Sequence, residues 1–280
     1  MVDLDKYRAD SLANWDEFSG NWADEHDFLH KATKGVADAL VAGVGAQPGQ
    51  TILELAAGTG DVGFAVAEGL GGDGKLVQTD FAPRMVEAER RFAADAGLAN
   101  IEHRVLDAER MDLEDASVDG VVCRYGYMLM ADPAAALSET RRVLREGGRL
   151  AFAVWGMPDR NLWAFIPGFA LVEGGHLPPP EPGAPGIFAM GDPERIRSLV
   201  TGAGFADPDL QEVTVDWDYT DPAVHWEKTM KLAAPIAEAV NALPDDERER
   251  IRELVASRVA EHVADDPAAL HGHSWVVTTS

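Results

Sequence analysis

Residues 51–63 read TILELAAGTGDVG. Ile52, Leu53 and Leu55 have the apolar density of a short buried strand, with Glu54 as an acidic break near its end. Ala56, Gly58 and Gly60 then make a turn without large side chains, and a helical pattern starts at Asp61. A strand that passes through such a turn into a helix leaves backbone N–H groups free and lets a ligand approach the main chain closely. The stretch is therefore a candidate cradle for a small anionic or carboxylate-bearing ligand.

Strand and helix alternate outward from this turn, from residue 50 to 155. Lys75 to Thr79 reads as a second strand ending in Asp80, followed by Phe81, Pro83 and a helix to about Ala96. Ile101 to Leu106 is a third strand, ending in Asp107. Val118 to Cys123 is a fourth, before Arg124 and Tyr125. Asp132 and Pro133 open a helix to Arg145, as an N-cap with Pro at the first helical position. Arg149 to Trp155 is a fifth strand after the Gly147–Gly148 turn. The strands are mostly apolar on both faces, as in a parallel sheet covered by helices, and such sheets bind ligands at the carboxyl ends of their strands. Ala56, Asp80, Asp107 and Cys123 all fall at that edge, which one functional edge explains better than core packing does.

The flanks are less regular. Residues 3–30 read as a helix carrying Tyr7, Trp15, Phe18, Trp22 and Phe28, either packed on the core or closing over a ligand as a lid. Asn161 to Val172 is helical, and residues 174–191 form a Pro- and Gly-rich loop. Asp192 and Pro193 start another helix, Leu210 to Trp217 alternates as a strand, Asp221 and Pro222 open a helical region, and HGHSWVVTTS closes the chain as a last strand. One domain is expected, with a helical lid at 1–48, a cofactor-binding half at 49–155 and a substrate-side half at 156–280 holding a helical insertion at 221–265.

The chain has 280 residues and a formal net charge of -24. So acidic a surface repels phosphate backbones and anionic membranes, so neither nucleic acid nor membrane is expected as a partner. The single cysteine, Cys123, excludes an internal disulfide and gives no zinc spacing. Buried, it reads as a small apolar group rather than a nucleophile. The charged start MVDLDKYRAD has no apolar signal core, and the cytoplasm is the expected compartment.

Gly58, Gly60 and Gly63 formally satisfy G-x-G-x-x-G, with Asp80 about 20 residues on, so an NAD(P)-dependent oxidoreductase must be weighed. Nearly fifty residues of helical character precede the fingerprint, which such a fold normally places first. Four segments together fit a different set: ILELAAGTGD at 52–61, VQTDFAPRM at 77–85, RVLDAERMDLEDASVDGVVCRYG at 104–126 and DPAAALSETRRVLREGGRLAFAVW at 132–155. In order and spacing they resemble the class I S-adenosylmethionine-dependent methyltransferases, of the ubiquinone/menaquinone-biosynthesis type.

That resemblance implies an α/β fold: a Rossmann-like, mostly parallel seven-stranded sheet, with helices on both faces, an antiparallel last strand and helical lid additions. It implies S-adenosyl-L-methionine as cofactor and S-adenosyl-L-homocysteine as product. By the same resemblance the turn Ala56, Ala57, Gly58 and Gly60 receives the methionine part, with Glu54 as the acidic motif residue. Asp80 accepts from both ribose hydroxyls. Phe81 and Met85 pack on the adenine, Asp107 accepts from its amino group beside Ala108 and Glu109, and Cys123 and Tyr125 lie near the methionine ammonium and the methyl group. Trp22 would close over them from the lid. Ala56 stands where the family often has Gly.

Methyl transfer needs mainly positioning, so a general base is optional; Tyr125, Tyr127, His176 and His225 are the candidates. His271 and His273 share one face of the last strand but lack a third metal ligand, and no metal is expected. Trp15, Trp22, Trp163, Phe165, Phe169, Phe188, Trp226 and Met230 could wall a small, partly apolar acceptor or simply hold the helices on. A member of the fold that binds the cofactor without methylating stays open, as does a homodimer.

Overall fold

The computed structural model describes residues 3–181 and 183–280. Its central strand, β1 (Thr51–Leu55), runs parallel to β2 (Lys75–Asp80) on one side and to β4 (Val118–Arg124) on the other. β3 (Ile101–Val105) lies beyond β2, and β5 (Leu144–Trp155) beyond β4. β7 (Gly272–Thr279) is antiparallel to both β5 and β6 (Asp209–Val215). The order is β3-β2-β1-β4-β5-β7-β6. Chain order reverses between β1 and β4, and at that point an open α/β sheet has a crevice at its carboxyl edge.

Consecutive residues in a strand point to opposite faces. Val121 and Val122 in β4 and Ala151 to Val154 in β5 are all fully buried, so both faces of the sheet are covered. Helix α2 (His26–Val44) packs across β4, β5, β6 and β7. Its Gly43 permits that approach, since a Cβ there would stand 2.7 Å from Thr278 Cγ2. α3 (Asp61–Leu70) and α4 (Pro83–Asp95) pack on β2, α3 also on β4 and α4 on β3, while α5 (Pro133–Val143) packs on β5 and on α7 (Pro193–Gly202). Each Asp-Pro pair read as a helix start is one: Asp132 accepts from Ala135 N–H at 3.0 Å, Asp192 from Glu194 at 3.0 Å and Asp221 from Ala223 at 2.8 Å.

The added parts are α1 (Leu4–Asp24), α6 (Leu162–Glu173), and the insertion of α8 (Pro222–Leu232), α9 (Ala234–Asn241) and α10 (Asp245–Asp265). The expected helix over 3–30 is broken at Glu25, where the backbone leaves helical geometry (φ −98°, ψ 13°), and α2 begins anew. β5 starts five residues earlier than its apolar run, at Leu144, because Arg145 to Gly148 are absorbed as an irregularity between Val118 and Gly120 of β4. β6 ends at Val215 rather than Trp217. The 174–191 segment carries no helix or strand in its described residues; Pro182 within it, like Met1 and Val2 of the N-terminal segment, lies outside them. Among the described residues no helix is long and apolar enough to cross a membrane.

Leu40 of α2 is fully buried against the sheet. Leu40→Ala should lower unfolding free energy by about 2–5 kcal/mol in a denaturant titration, the range for emptying a packed leucine site; a loss within a few tenths would mean that α2 is not part of the core.

Candidate cofactor site at the carboxyl edge

Two neighbouring strand tips carry non-glycine residues in the left-handed region: Ala56 after β1 (φ 50°) and Tyr125 after β4 (φ 61°). Such conformations persist only where the surroundings impose them. Here the imposing contact is close packing across the switch point. A Cβ on Gly126 would lie 2.6 Å from Cys123 Sγ and 2.7 Å from Ala56 Cβ. The ladder also continues past the strands, with Ala57 N–H donating to the Thr79 carbonyl at 3.0 Å and Tyr125 N–H to the Ala153 carbonyl at 2.8 Å. On the outer side the turn is roomy: Gly58 has φ 60°, and a Cβ there would meet no heavy atom within 4 Å.

Buried carboxyls hold this turn from below. Asp80, 7% exposed, accepts from Gly58 N–H at 3.1 Å through one oxygen and from Ala82 N–H at 3.0 Å through the other. Burial pushes its pKa up to about 6, against these backbone donors, which favour the charge. Glu54 does not face the ligand side of the turn. Its oxygens accept from Gly63 N–H at 3.0 Å and from Gln78 Nε2 at 2.7 Å, and burial raises its pKa to about 8. Gly63 is required for that contact, because a Cβ would stand 2.0 Å from Glu54 Oε2. Glu89 of α4, fully buried, is pushed to about 10 by burial and by the nearby Asp80 and Glu54 charges. Sequence reading missed Glu89, whose position on an otherwise charged helix gave no sign of burial. Asp61, at the first turn of α3, is paired with Arg124 at 3.0 Å and approached by His30 at 3.2 Å and His26 at 3.4 Å, which joins α2 to the cradle.

The remaining expected residues divide. Asp107 lies exposed beside the edge, with one oxygen accepting from Glu109 N–H at 2.9 Å. Glu109 is turned to Arg8 of α1, whose Nε donates to it at 2.9 Å. Ala108 and Met85 are buried, and Phe81 is half-buried at the start of α4. Cys123 is wholly buried, and burial pushes its thiol up to about 12, which removes any nucleophilic role at neutral pH. Trp22 is directed to α8, where its Nε1 donates to the Leu232 carbonyl at 3.3 Å.

None of the four base candidates is a free base at the turn. Tyr127 is core, with its hydroxyl 2.6 Å from Thr140 Oγ1, and burial raises its pKa far above the ordinary value. Tyr125 stacks on Trp155 at 4.1 Å with its hydroxyl 2.9 Å from Ser274 Oγ, and burial raises it as well. His176 sits 3.6 Å from Glu247 of α10. His225 is fully buried and held neutral by that burial. Its Nε2 lies 2.7 Å from the Trp163 carbonyl, which can only accept, so Nε2 carries the proton and Nδ1 is left bare and unpartnered. His271 and His273 part company, toward Asp216 at 3.2 Å and Glu212 at 3.5 Å. Among the described residues no cluster of three or more His, Cys, Asp or Glu could hold a metal ion.

Sequence reading spread the acceptor wall over eight residues, and the structure gathers a partly different set. Tyr125 and Trp155 continue into Trp163 (5.0 Å from Trp155), Trp217 (4.8 Å from Trp163) and Tyr219 (5.7 Å from Trp217), with Phe28 of α2 5.8 Å from Trp217. These rings follow the ends of β4, β5 and β6, so the assembly adjoins the cradle. Phe165 and Phe169 instead stack on each other at the surface, 36% and 44% exposed.

The residues present suit a nucleoside with a carboxylate-bearing arm: a roomy glycine turn, a buried carboxylate at the β2 tip and a polar group at the β3 tip. The sheet order separates the two cofactor classes. A nicotinamide-binding sheet runs 3-2-1-4-5-6, whereas here the antiparallel β7 stands between β5 and β6. The ubiE/COQ5 methyltransferase family matches over residues 29–160, a stretch that runs from α2 through β5. Over those residues the chain is similar to the class I S-adenosylmethionine-dependent methyltransferases of the ubiE/COQ5 type.

The demethylmenaquinone methyltransferase of Deinococcus radiodurans is 29% identical to this chain over 209 residues, 68% of this chain and 83% of that one. The ubiquinone/menaquinone biosynthesis C-methyltransferase of Teredinibacter turnerae is 31% identical over 119 residues, 42% of this chain and 48% of that one. The match to the latter thus spans about half of the relative's length. A solved candidate methyltransferase from Bacillus halodurans shares the fold with a TM-score of 0.56 at 20% identity, covering 87% of this chain and 97% of that one.

Asp80→Ala should weaken binding of S-adenosylhomocysteine by about 1.5–3 kcal/mol in calorimetric titration, the scale of a charge-assisted hydrogen bond; unchanged affinity would remove Asp80 from the site. Wild-type affinity should also fall as pH drops through about 6, where Asp80 takes up its proton and loses acceptor capacity. Asp80→Asn should abolish that step. The fold responds in the opposite direction. Asp80 keeps its proton to about pH 6 when folded, while the unfolded chain releases it near ~4. Ionisation of Asp80 therefore costs stability as pH rises across that window.

Proposed function

We propose that this methyltransferase moves a methyl group from S-adenosylmethionine to a small, partly apolar acceptor with a flat ring, in the cytoplasm. The observation that carries the reading is adjacency: the aromatic assembly from Tyr125 to Tyr219 begins where the cofactor cradle ends. Asp80 would grip the ribose, and the Ala56–Gly60 turn would receive the methionine arm. Asp107 and the Ala108 backbone would meet the adenine beside Phe81 and Met85, with Cys123 and Tyr125 next to the methyl-bearing end.

The bound cofactor supplies an electrophilic methyl carbon on a positively charged sulfur. The chain's own contribution is alignment. Aromatic faces hold a planar acceptor, exclude water and keep the accepting atom in line with the sulfur, and holding reactants in such geometry is a large source of rate acceleration. Burial keeps Tyr125 protonated, so it orients rather than ionises. His225, held neutral by burial with a bare Nδ1, has a ring nitrogen able to accept a proton, unlike the two protonated tyrosines. The relatives named for ubiquinone and menaquinone biosynthesis support a quinone-type ring as acceptor.

Incubation with methyl-labelled S-adenosylmethionine and a panel of hydroxylated aromatic and reduced quinone-type compounds tests this. Label should appear in at least one compound, with stoichiometric S-adenosylhomocysteine. Binding of the cofactor with no label transferred to any compound would favour a cofactor-binding member of the fold that does not methylate.

A further inference from the structure

α1 has 21 residues, of which Ser19 alone is buried. A helix with so little burial is held by individual contacts, and segments of that kind open at low free-energy cost. Three of its contacts reach the cofactor edge. Tyr7 Oη donates to the Leu129 carbonyl at 2.9 Å, in the segment after β4. Arg8 reaches Glu109, after β3, and Asp16 accepts from Arg84 N–H at 2.9 Å, after β2. α1 therefore crosses three strand tips like a strap.

The fourth attachment is at the break between α1 and α2. Glu25 is 6% exposed and pairs with both Lys228 and Lys231 of α8, the latter at 2.8 Å. Lys228 Nζ also lies 4.8 Å above the Phe28 ring. Beside this pair, Asn21 Nδ2 donates to the Lys231 carbonyl at 3.1 Å and Trp22 Nε1 to that of Leu232. A carboxylate so far out of water is tolerated because two ammonium groups face it, and removing one partner of such a group leaves an uncompensated charge. Burial alone would raise the Glu25 pKa, and the two lysines outweigh it and lower it. α8 also holds the aromatic wall, through the His225 bond to the Trp163 carbonyl. One helix thus touches both the strap and the acceptor side.

We propose that Glu25 is a positioning residue for the cofactor: with Lys228 and Lys231 it latches α1 over the cofactor edge to α8, so that the cofactor and acceptor sides open and close together. This rests on reading the edge as the S-adenosylmethionine site. The latch controls how fast bound nucleoside leaves, and a change on α8 is felt at strand tips that α8 reaches through α1.

Stopped-flow release of S-adenosylhomocysteine, followed by the change in tryptophan fluorescence, to which Trp15 and Trp22 on α1 contribute, tests this without knowledge of the acceptor. Glu25→Gln and Lys228→Met should each release it about tenfold faster or more than wild type, the scale of losing a buried charge pair. The exchanged pair Glu25→Lys with Lys228→Glu should return the rate toward wild type, and faster release in Glu25→Gln with an unfolding midpoint unchanged from wild type separates the latch from a purely structural role. Wild-type release rates in a folded Glu25→Gln protein would overturn the latch. If that variant does not fold, Lys228→Met, which leaves Glu25 paired with Lys231, is read the same way. Failure of the wild type to bind S-adenosylhomocysteine would sink the cofactor reading and the latch with it; wild-type binding with unchanged variants would sink the latch alone.

Discussion

The structure depends on carboxyl groups buried under a glycine turn. Asp80 ties Gly58 to the start of α4, and Glu54 ties the first turn of α3 to β2 through Gly63 and Gln78. A carboxylate gives up much hydration on burial, and hydrogen bonds must offset that cost. The turn cannot relax without stranding these groups, and the close packing at Gly126 beside it holds Ala56 and Tyr125 in a conformation that side chains avoid. Rigid tips give a ligand backbone donors and acceptors already in place, and such preorganisation reduces the ordering that binding would otherwise require.

Around the rigid edge the protein adds parts of a different character. The sheet and α2 form one continuous core, whereas α1 is attached by hydrogen bonds and ion pairs with one buried residue. On the proposed reading a cofactor would enter and a product leave past this strap, and its loose attachment matches that requirement for opening. The tight aromatic packing of Trp155, Trp217 and Tyr219 means that an acceptor would have to displace or spread rings. Closure over both sides would then exclude water from the reacting groups.

Much of this was legible in the sequence. Four of the five strands from Thr51 to Trp155 announced themselves by short apolar runs, β3 (IEHRV) being the exception, and the Asp-Pro pairs marked three helix starts by a capping mechanism that acts locally. The small-residue turn and the acids at strand ends located the edge. What could not be read depends on contacts distant in sequence. Nothing near Glu25 marks the break, since its partners stand over 200 residues away in α8. Glu54 had the right position in its motif, but only the fold turns its oxygens toward Gly63 and Gln78. The aromatic wall follows the same rule: Trp155, Trp217 and Tyr219 looked like ordinary strand and loop residues, and only the pairing of β5, β6 and β7 brings them together.

The central claim is that these tips bind a nucleoside sulfonium rather than a dinucleotide. Parallel equilibrium titrations of the purified protein with S-adenosylmethionine and with NADH decide it. The account predicts saturable one-to-one binding of S-adenosylmethionine and no binding of NADH at the same concentrations. Saturable NADH binding with none of S-adenosylmethionine would contradict it.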